Sequence, residues 1–517
     1  MTFRPEHLIV PLVSVTASAF WLWQSSLVTT PGLPLDDAWI HLQFARNLAE
    51  GHGFSFNAGV PSSGSSAPLW SLLLALFVAV GVDPVRAAVG LGIAITCATV
   101  AVVIELTRLA TGSRRAAVVA GLTVAVSGRV VWAAVSGMEG PLFSLLTVAA
   151  LLAYVVELER PERSWGMWSL LAALAGTARP EAFVTLLVLA VHWTAGPGST
   201  ARRRSRRALA APLLTAGVVV LAYVSLNVHG GGHLLPMTFY AKTAEGGVWH
   251  ALRLRELGAI HEIGAQPLVA LNKLSLFFIG QSALFYASAV VGLLALAGVF
   301  RGVQCRAGAG LLVAVLLVTP LLKGLVAPTP SILIHQGRYI THLTVLWLVA
   351  SIIGFFVLHR MSRRGWVVPV ILLLALARLG AQDLRDARLY GEWVKNINDL
   401  QVVTGRWIAD HTSADAVVAT NDIGAIGYIS RRQIVDTEGL VTPAAIAYKQ
   451  GQQIALLLEA IRPDLLVIFP DWYPSLAGSP LLTEVHRFHA RRVVAGGTEL
   501  VVYRLPWTRP DRLRTPR

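Results

Sequence analysis

Cysteine is almost absent from this chain of 517 residues: the two, Cys97 and Cys305, fall in or beside long apolar runs. That excludes a disulfide framework and a thiolate zinc site. Charge is scarce too, at 14% of residues against 55% hydrophobic, with a mean hydropathy of +0.61. A soluble globular domain carries roughly a quarter charged residues, so this surface is built to face lipid. Acid is scarcer than base, with 29 Asp and Glu against 43 Lys and Arg and a net charge of +14. Such a balance suits nucleic acid only when it forms a basic face on a soluble domain. Here the Arg and Lys residues cluster between apolar runs, as in cytoplasmic loops under the positive-inside rule, and nucleic acid is not an expected partner.

What is present is a series of apolar segments. The first, residues 8–27, is long enough to span and lacks a small-residue cleavage site, so it reads as a transmembrane helix with the N-terminus inside. It delivers an outer loop, 29–82, whose apolar stretch 68–80 is too short to span and lies along the outer leaflet. Further spans are expected at 85–109, 116–135 and 141–156, then in two short halves, 165–177 and 182–193, that meet at Arg179-Pro180-Glu181. A span at 209–227 leads to a polar outer loop at 229–266. The remaining spans are expected at 284–300, 311–326, 340–358 and 367–379, giving about eleven and placing the C-terminus outside.

From residue 382 the hydropathy falls. Strands are expected at 416–420, 433–436 and 465–469, helices at 400–411 and 443–461, and a hairpin at 491–504, which together describe a small α/β domain. The Pro/Arg-rich tail, 506–517, is expected to be disordered. The organisation is thus a membrane domain, 1–381, and an outer soluble domain, 382–517. The Gly-rich stretch 421–427 follows a strand but lacks the full dinucleotide fingerprint, so it reads as a strand-to-helix turn.

The outer loop carries adjacent acids, Asp36 and Asp37, ahead of a helix with Ile40, Phe44 and Leu48 on one face, an interfacial pattern. Paired carboxylates at a membrane exit are candidates for a general base, since mutual repulsion raises one pKa. They equally suit an N-cap, with Asp36 before a helix starting near Ala38. His41 and Arg46 read as a solvated face. Lys242 and Arg338 lie at outward-facing span ends, where they suit either phosphate or lipid headgroups. Arg129, Glu139, Arg179 and Glu181 are further charges near outer ends, suited to buried pairs or to substrate.

These residues resemble a known family. The run DDAWIHLQFARNLAEGHG at 36–53, with FNAG at 56–59 and SAPLW at 66–70, resembles the first outer loop of bacterial GT-C superfamily glycosyltransferases. It is most similar to the terminal arabinofuranosyltransferases of mycobacterial cell-wall synthesis. VSGMEGPLF at 135–143, TARPE at 177–181, PMTFYAK at 236–242 and GRY at 337–339 extend the likeness across the membrane region. It departs at 59–68, where relatives carry an acid and Thr-Ser-Pro, and at Met237, where Asn is usual.

The resemblance implies a GT-C-like polytopic α-helical membrane protein of the bacterial plasma membrane, with a C-terminal extracytoplasmic α/β domain. It implies inverting transfer of a sugar, such as arabinofuranose, from a polyprenyl-phosphate donor to a hydroxyl on a glycan, lipid or protein acceptor. Asp36 would be the base with Asp37 assisting, and Lys242, Arg338 and Tyr339 would hold the donor phosphate. Arg46, Asn57, Trp70, Glu139, Arg179, Glu181 and Tyr240 would line the substrate site. The sequence specifies no cofactor: Asp36, Asp37 and Glu139 offer oxygen ligands to a divalent metal without defining a site. A polytopic transporter or flippase is the alternative, and would place ionisable residues mid-span. A membrane-anchored receptor would not need this many spans.

Overall fold

Apolar runs in lipid can satisfy their backbone only within helices, and helices dominate. The computed structural model describes the chain apart from residues 1–3, 160, 162–163, 197–205, 244–256, 300–307, 309, 327–333, 451–452, 495 and 514–517. Cys305 and the basic residues Arg202 to Arg204 lie outside the described residues.

The membrane region contains α1 (Glu6–Ser26), α2 (Asp36–Ala49), α3 (Pro68–Ala79), α4 (Pro84–Thr111), α5 (Arg114–Ala125), α6 (Gly128–Val135), α7 (Gly140–Glu157), α8 (Met167–Ala178) and α9 (Phe183–Ala195). It continues with α10 (Arg206–Gly231), α11 (Met237–Thr243), α12 (Leu257–Gln281), α13 (Ala283–Leu296), α14 (Leu311–Val326), α15 (Thr341–Met361) and α16 (Val367–Ile397). Six described helical stretches are long and apolar enough to cross a membrane, seven if α5 and α6, bent by 54°, count as one. The apolar helices α3, α8, α9, α13 and α14 are shorter than 18 residues. The expected eleven spans therefore separate into long helices and pieces that fall below full span length. The expected polar loop at 229–266 is partly wrong, because α12 begins inside it. Polar residues such as His261, Glu262 and Gln266 dilute the hydropathy there without breaking the helix.

Residue 382, where the hydropathy falls, lies inside a helix. Helix α16 runs through it and continues, by a π-turn at Asn398–Val402, into α17 (Val403–His411). Beyond it lies a five-stranded sheet of β1 (Val417–Thr420), β2 (Gln433–Asp436), β3 (Leu465–Ile468), β4 (Thr483–His489) and β5 (Glu499–Arg504), in the order β2-β1-β3-β5-β4. Strand β1 pairs in parallel with β2 and β3, and β5 runs antiparallel to β3 and β4. All four residues of β3 are buried, as parallel strands covered on both faces require. The crossovers are α18 (Gly424–Ser430), and α19 (Ala445–Gln450) with α20 (Ile454–Ile461), so the single helix expected at 443–461 is two. The hairpin starts earlier than expected, at Thr483. The tail is docked to Leu513, which bridges Thr412, while Arg512 pairs with Asp415, so the expected disorder does not begin at 506.

The C-terminal α/β domain, called outer for its place beyond the helical bundle, sits on α2. Residues Ala38 through Asn47 are all buried, so this helix is a filling between the membrane bundle and the α/β domain, and not an interfacial helix with one wet face. Asn57 fastens the same loop to the edge strand: its Nδ2 donates to the Ile434 carbonyl and its Oδ1 accepts the Ile434 N–H, both at 2.9 Å.

Candidate active site

Extended backbone at Leu35 (φ −137°, ψ 140°) makes that residue, and not Asp36, the N-cap of α2. Asp36 and Asp37 then occupy the first turn, where the helix dipole favours acid. Neighbours on a helix point roughly 100° apart, and the two carboxylates part company. Asp36 turns outward and accepts the backbone N–H groups of Gly424 at 2.7 Å and Ala425 at 2.8 Å, the first turn of α18. Burial, then the nearby Asp422 carboxylate, pushes the Asp36 carboxyl well above its ordinary range. Asp422 is itself pushed up to about 6 by burial, opposed by the Gln401 amide that donates to it at 2.7 Å.

Asp37 turns inward and pairs with Arg338. Burial alone would raise its carboxyl, but the charges of Arg338 and Lys242 hold it well below the usual carboxylate range. Asp37, Ile40 and His41 form one wall of a narrow cavity. Gly64 and Ser66, Met138, Arg179, Thr238 and Lys242, and Arg338 with Tyr339 supply the rest, and Leu440 of the outer domain closes it.

The turn before Arg338 is built for aim. His335 (φ 52°), Gln336 (φ 60°) and Gly337 (φ 71°) are successive left-handed residues, a costly conformation for the first two that concentrates at working sites. Arg338 Nη2 donates to the Tyr339 hydroxyl at 2.8 Å, and Lys242 Nζ donates to the same oxygen at 3.3 Å. The Nε and Nη1 atoms of Arg338 are buried and have no hydrogen-bond partner among the described residues.

A charged network forms the floor. Arg179 pairs with Glu139 and lies 3.2 Å from Glu181, and Lys323 reaches Glu181 at 3.0 Å. Arg179 and Lys323 stand 4.3 Å and 4.2 Å from the centre of the Tyr339 ring. His41, expected on a solvated face, is buried: its Nε2 is 3.2 Å from Glu139, and its Nδ1 is 3.4 Å from the hydroxyls of Ser65 and Ser71. Among the described residues, four cations (Arg179, Lys242, Lys323, Arg338) meet three carboxylates (Asp37, Glu139, Glu181). That imbalance, together with the spare guanidinium donors, suits one more anion.

The structure thus gathers Asp37, Glu139, Arg179, Glu181, Lys242, Arg338 and Tyr339. It puts others elsewhere. Arg46 donates to the Tyr428 carbonyl at 2.6 Å and stacks on that ring, tying α2 to the outer domain. Trp70 is fully buried, donating to the Gly137 carbonyl at 3.0 Å. Tyr240 packs against His233 and Phe239. Sequence reasoning missed Lys323 and Leu440 and put the buried His41 on a solvated face. A lone Lys inside the apolar run of α14 is a signal for Lys323, and His41 stands four residues after Asp37 on the same face. A wider groove of 590 Å³ opens on the opposite side of α2, between Trp39, Tyr428 and the π-turn. Lys395 there is already paired with Asp399 at 2.8 Å, and Asp37 is not part of its lining.

Residues 395–503 match a family described as a domain of unknown function, DUF8728. No curated protein sequence matches the chain. By structure it is similar to ArnT from Cupriavidus metallidurans bound to undecaprenyl phosphate, at 14% identity and a TM-score of 0.58, over 95% of this chain and 97% of that one. It is also similar to the Archaeoglobus fulgidus oligosaccharyltransferase in complex with Zn and sulfate, at 13% identity and a TM-score of 0.59, over 95% of this chain and 73% of that one. A third likeness is to AglB from Archaeoglobus fulgidus with an inhibitory peptide and a dolichol-phosphate, at 12% identity and a TM-score of 0.56, over 90% and 70% of the two chains. The chain therefore has the fold of GT-C membrane glycosyltransferases.

Proposed function

We propose that this protein is an inverting glycosyltransferase of a bacterial plasma membrane, moving a sugar from a polyprenyl-phosphate donor to an acceptor hydroxyl on the non-cytoplasmic side. The observation that carries the proposal is the seat at Arg338: two buried, unpartnered guanidinium nitrogens beside Lys242 and the Tyr339 hydroxyl, facing the carboxylate of Asp37. The lipid phosphates held by ArnT and AglB support a donor of that class. The sequence resemblance favours a pentofuranose, such as arabinofuranose, as the sugar.

In this reading the acceptor oxygen forms a bond to the anomeric carbon as the bond from that carbon to the phosphate oxygen breaks, with inversion. The departing phosphate gains a negative charge, which Arg338, Lys242 and the Tyr339 O–H stabilise more strongly than they do the diester. The acceptor proton passes to Asp37. Paired with Arg338 alone, Asp37 is a weak base. A phosphate anion on the spare guanidinium face offsets that cation and raises the basicity of Asp37 only when donor is bound. Asp36 is the second reading, favoured by its raised pKa and by the sequence resemblance, although both its oxygens already accept backbone N–H groups.

The test is turnover of purified protein with a panel of polyprenyl-phosphate sugars and glycan acceptors, scoring released polyprenyl phosphate. Asp37→Asn is expected to lower transfer by about a hundred-fold or more while retaining undecaprenyl-phosphate binding. Full activity in Asp37→Asn with loss in a folded Asp36→Asn would pass the role to Asp36. Wild-type protein that neither turns over a donor nor binds lipid phosphate would end the proposal.

A further inference from the structure

The loop that follows β2 reaches the cavity of Asp37, and the loop that follows β1 reaches its neighbour Asp36. After β1, residues 421–424 bring Gly424 onto Asp36, so closely that a side chain at 424 would strike the Asp36 carbonyl oxygen. After β2, Asp436 accepts the N–H groups of Glu438 at 2.8 Å and Val441 at 2.9 Å, winding a tight loop. That loop packs on Gly64, where an added Cβ would lie 2.6 Å from the Leu440 carbonyl oxygen, and Leu440 lines the cavity of Asp37. In open α/β sheets the carboxyl ends of the parallel strands, where the connections diverge to either side, are where ligands sit. Here that edge, at β1 between β2 and β3, is turned towards the reacting centre.

The edge is furnished with acceptors. Asp422 receives Gln401 Nε2 at 2.7 Å and Asn421 Nδ2 at 3.2 Å. The remaining oxygens of those two amides, Gln401 Oε1 and Asn421 Oδ1, are buried and have no hydrogen-bond partner among the described residues. Gln401 is 3% and Asn421 5% exposed, so bulk water does not serve them. A buried acceptor without a donor has given up its water for nothing in return, and two beside one half-buried carboxylate mark a place where a ligand supplies donors. Glu438, half-buried and near enough for its charge to act on Asp422, accepts the Tyr473 hydroxyl at 2.6 Å. The charge of Asp422 acts on Asp36, and that of Asp37 on Asp422.

We infer that the outer domain holds the acceptor, a neutral saccharide whose hydroxyls donate to Asn421, Gln401, Asp422 and Glu438, so that a further hydroxyl is presented to Asp37 past Leu440. The inference deepens the glycosyl-transfer reading and rests on it for the acceptor's role. Acid-rich acceptors are disfavoured, because every side chain offered here is an oxygen acceptor and two are carboxylates. A sugar ring's array of O–H groups satisfies such atoms without bringing charge. Asp422 and Asn421 act on the acceptor and not on the departing phosphate, which lies with Arg338 and Lys242.

The test uses the full chain in lipid nanodiscs, with neutral methyl glycosides and short neutral oligosaccharides of pentoses and hexoses as probes. Saturation transfer from protein to sugar protons is expected in the wild type and is expected to weaken in Asp422→Asn and in Tyr473→Phe. Acceptor KM should rise by about ten-fold in each, with undecaprenyl-phosphate affinity unchanged. Asp422→Asn removes a charge that opposes Asp36 and Asp37, so it is expected to fold, and Tyr473→Phe reports independently if it does not. Unchanged sugar binding and acceptor KM in both variants would overturn the inference, as would probes that never bind while peptides or anionic glycans do. Sugar binding that depends on Asp422 without turnover of any donor would instead overturn glycosyl transfer and leave a saccharide site.

Discussion

The Asp36 carboxylate and the Gly424 backbone N–H meet at 2.7 Å, although 388 residues separate them in the chain. One acid thereby completes the first turn of a helix in another part of the molecule, and its neighbour Asp37 is held facing the opposite way. The orientation of the Asp37 carboxylate thus depends on the outer domain being seated.

Gly424→Ala tests that dependence. The new methyl group would fall on the Asp36 carbonyl oxygen and lie 2.8 Å from Oδ2, and a backbone oxygen cannot swing aside. Overpacking of this kind costs about 1–3 kcal/mol. A lower melting temperature of the detergent-solubilised protein, together with reduced transfer, is expected. An unaltered variant would mean that the contact is not needed to seat the domain.

Stability should fall as pH rises through the range in which Asp422 ionises. Folding raises the pKa of Asp36 and of Asp422, the latter to about 6. Their favourable contribution is therefore complete below the ordinary carboxyl pKa and is lost as pH passes the raised value. Melting curves between pH 5 and about 8 check this, and Asp422→Asn should flatten the slope. A slope of the opposite sign would show that the backbone N–H groups on Asp36 outweigh its burial.

The floor of the cavity should be fragile to single changes and tolerant of paired ones. Lys323→Met strands Glu181, whose other partner Arg179 is shared with Glu139. Breaking a buried pair costs about 3–5 kcal/mol. The double variant Lys323→Met with Glu181→Gln is expected to recover part of that loss in unfolding measurements. Additive losses would show that the two residues do not act as a pair.

Asn57→Ala removes both hydrogen bonds to Ile434 and leaves the β2 edge without that cover. A loss of about 1–3 kcal/mol and faster proteolysis of the outer domain are expected. Native protease resistance would show that α2 alone holds the domain.

Much of the site was legible because its charges stand out from apolar surroundings: Asp37, Arg179, Glu181, Lys242 and Arg338 are conspicuous in an otherwise greasy chain. What was not legible followed from packing across long sequence separations. Nothing local tells that Asp36 serves Gly424, that Asn57 edges a strand, or that His41 is covered. An amphipathic pattern on α2 promised one wet face, and the outer domain over Arg46, with Glu139, Ser65 and Ser71 over His41, removes that face from water. Nor does the fall in hydropathy at 382 coincide with a helix end: α16 keeps its helical hydrogen bonds through that residue.

That helix has a mechanical consequence. With α17 it makes a continuous stretch of 45 residues, about 68 Å at 1.5 Å per residue, rooted in lipid at one end and leading straight into β1 at the other. A long helix answers a thicker or thinner bilayer by changing its tilt, and a small angle at the root becomes a large sweep at the tip. The thickness of the surrounding bilayer therefore bears, through this one rod, on where the α/β lobe stands.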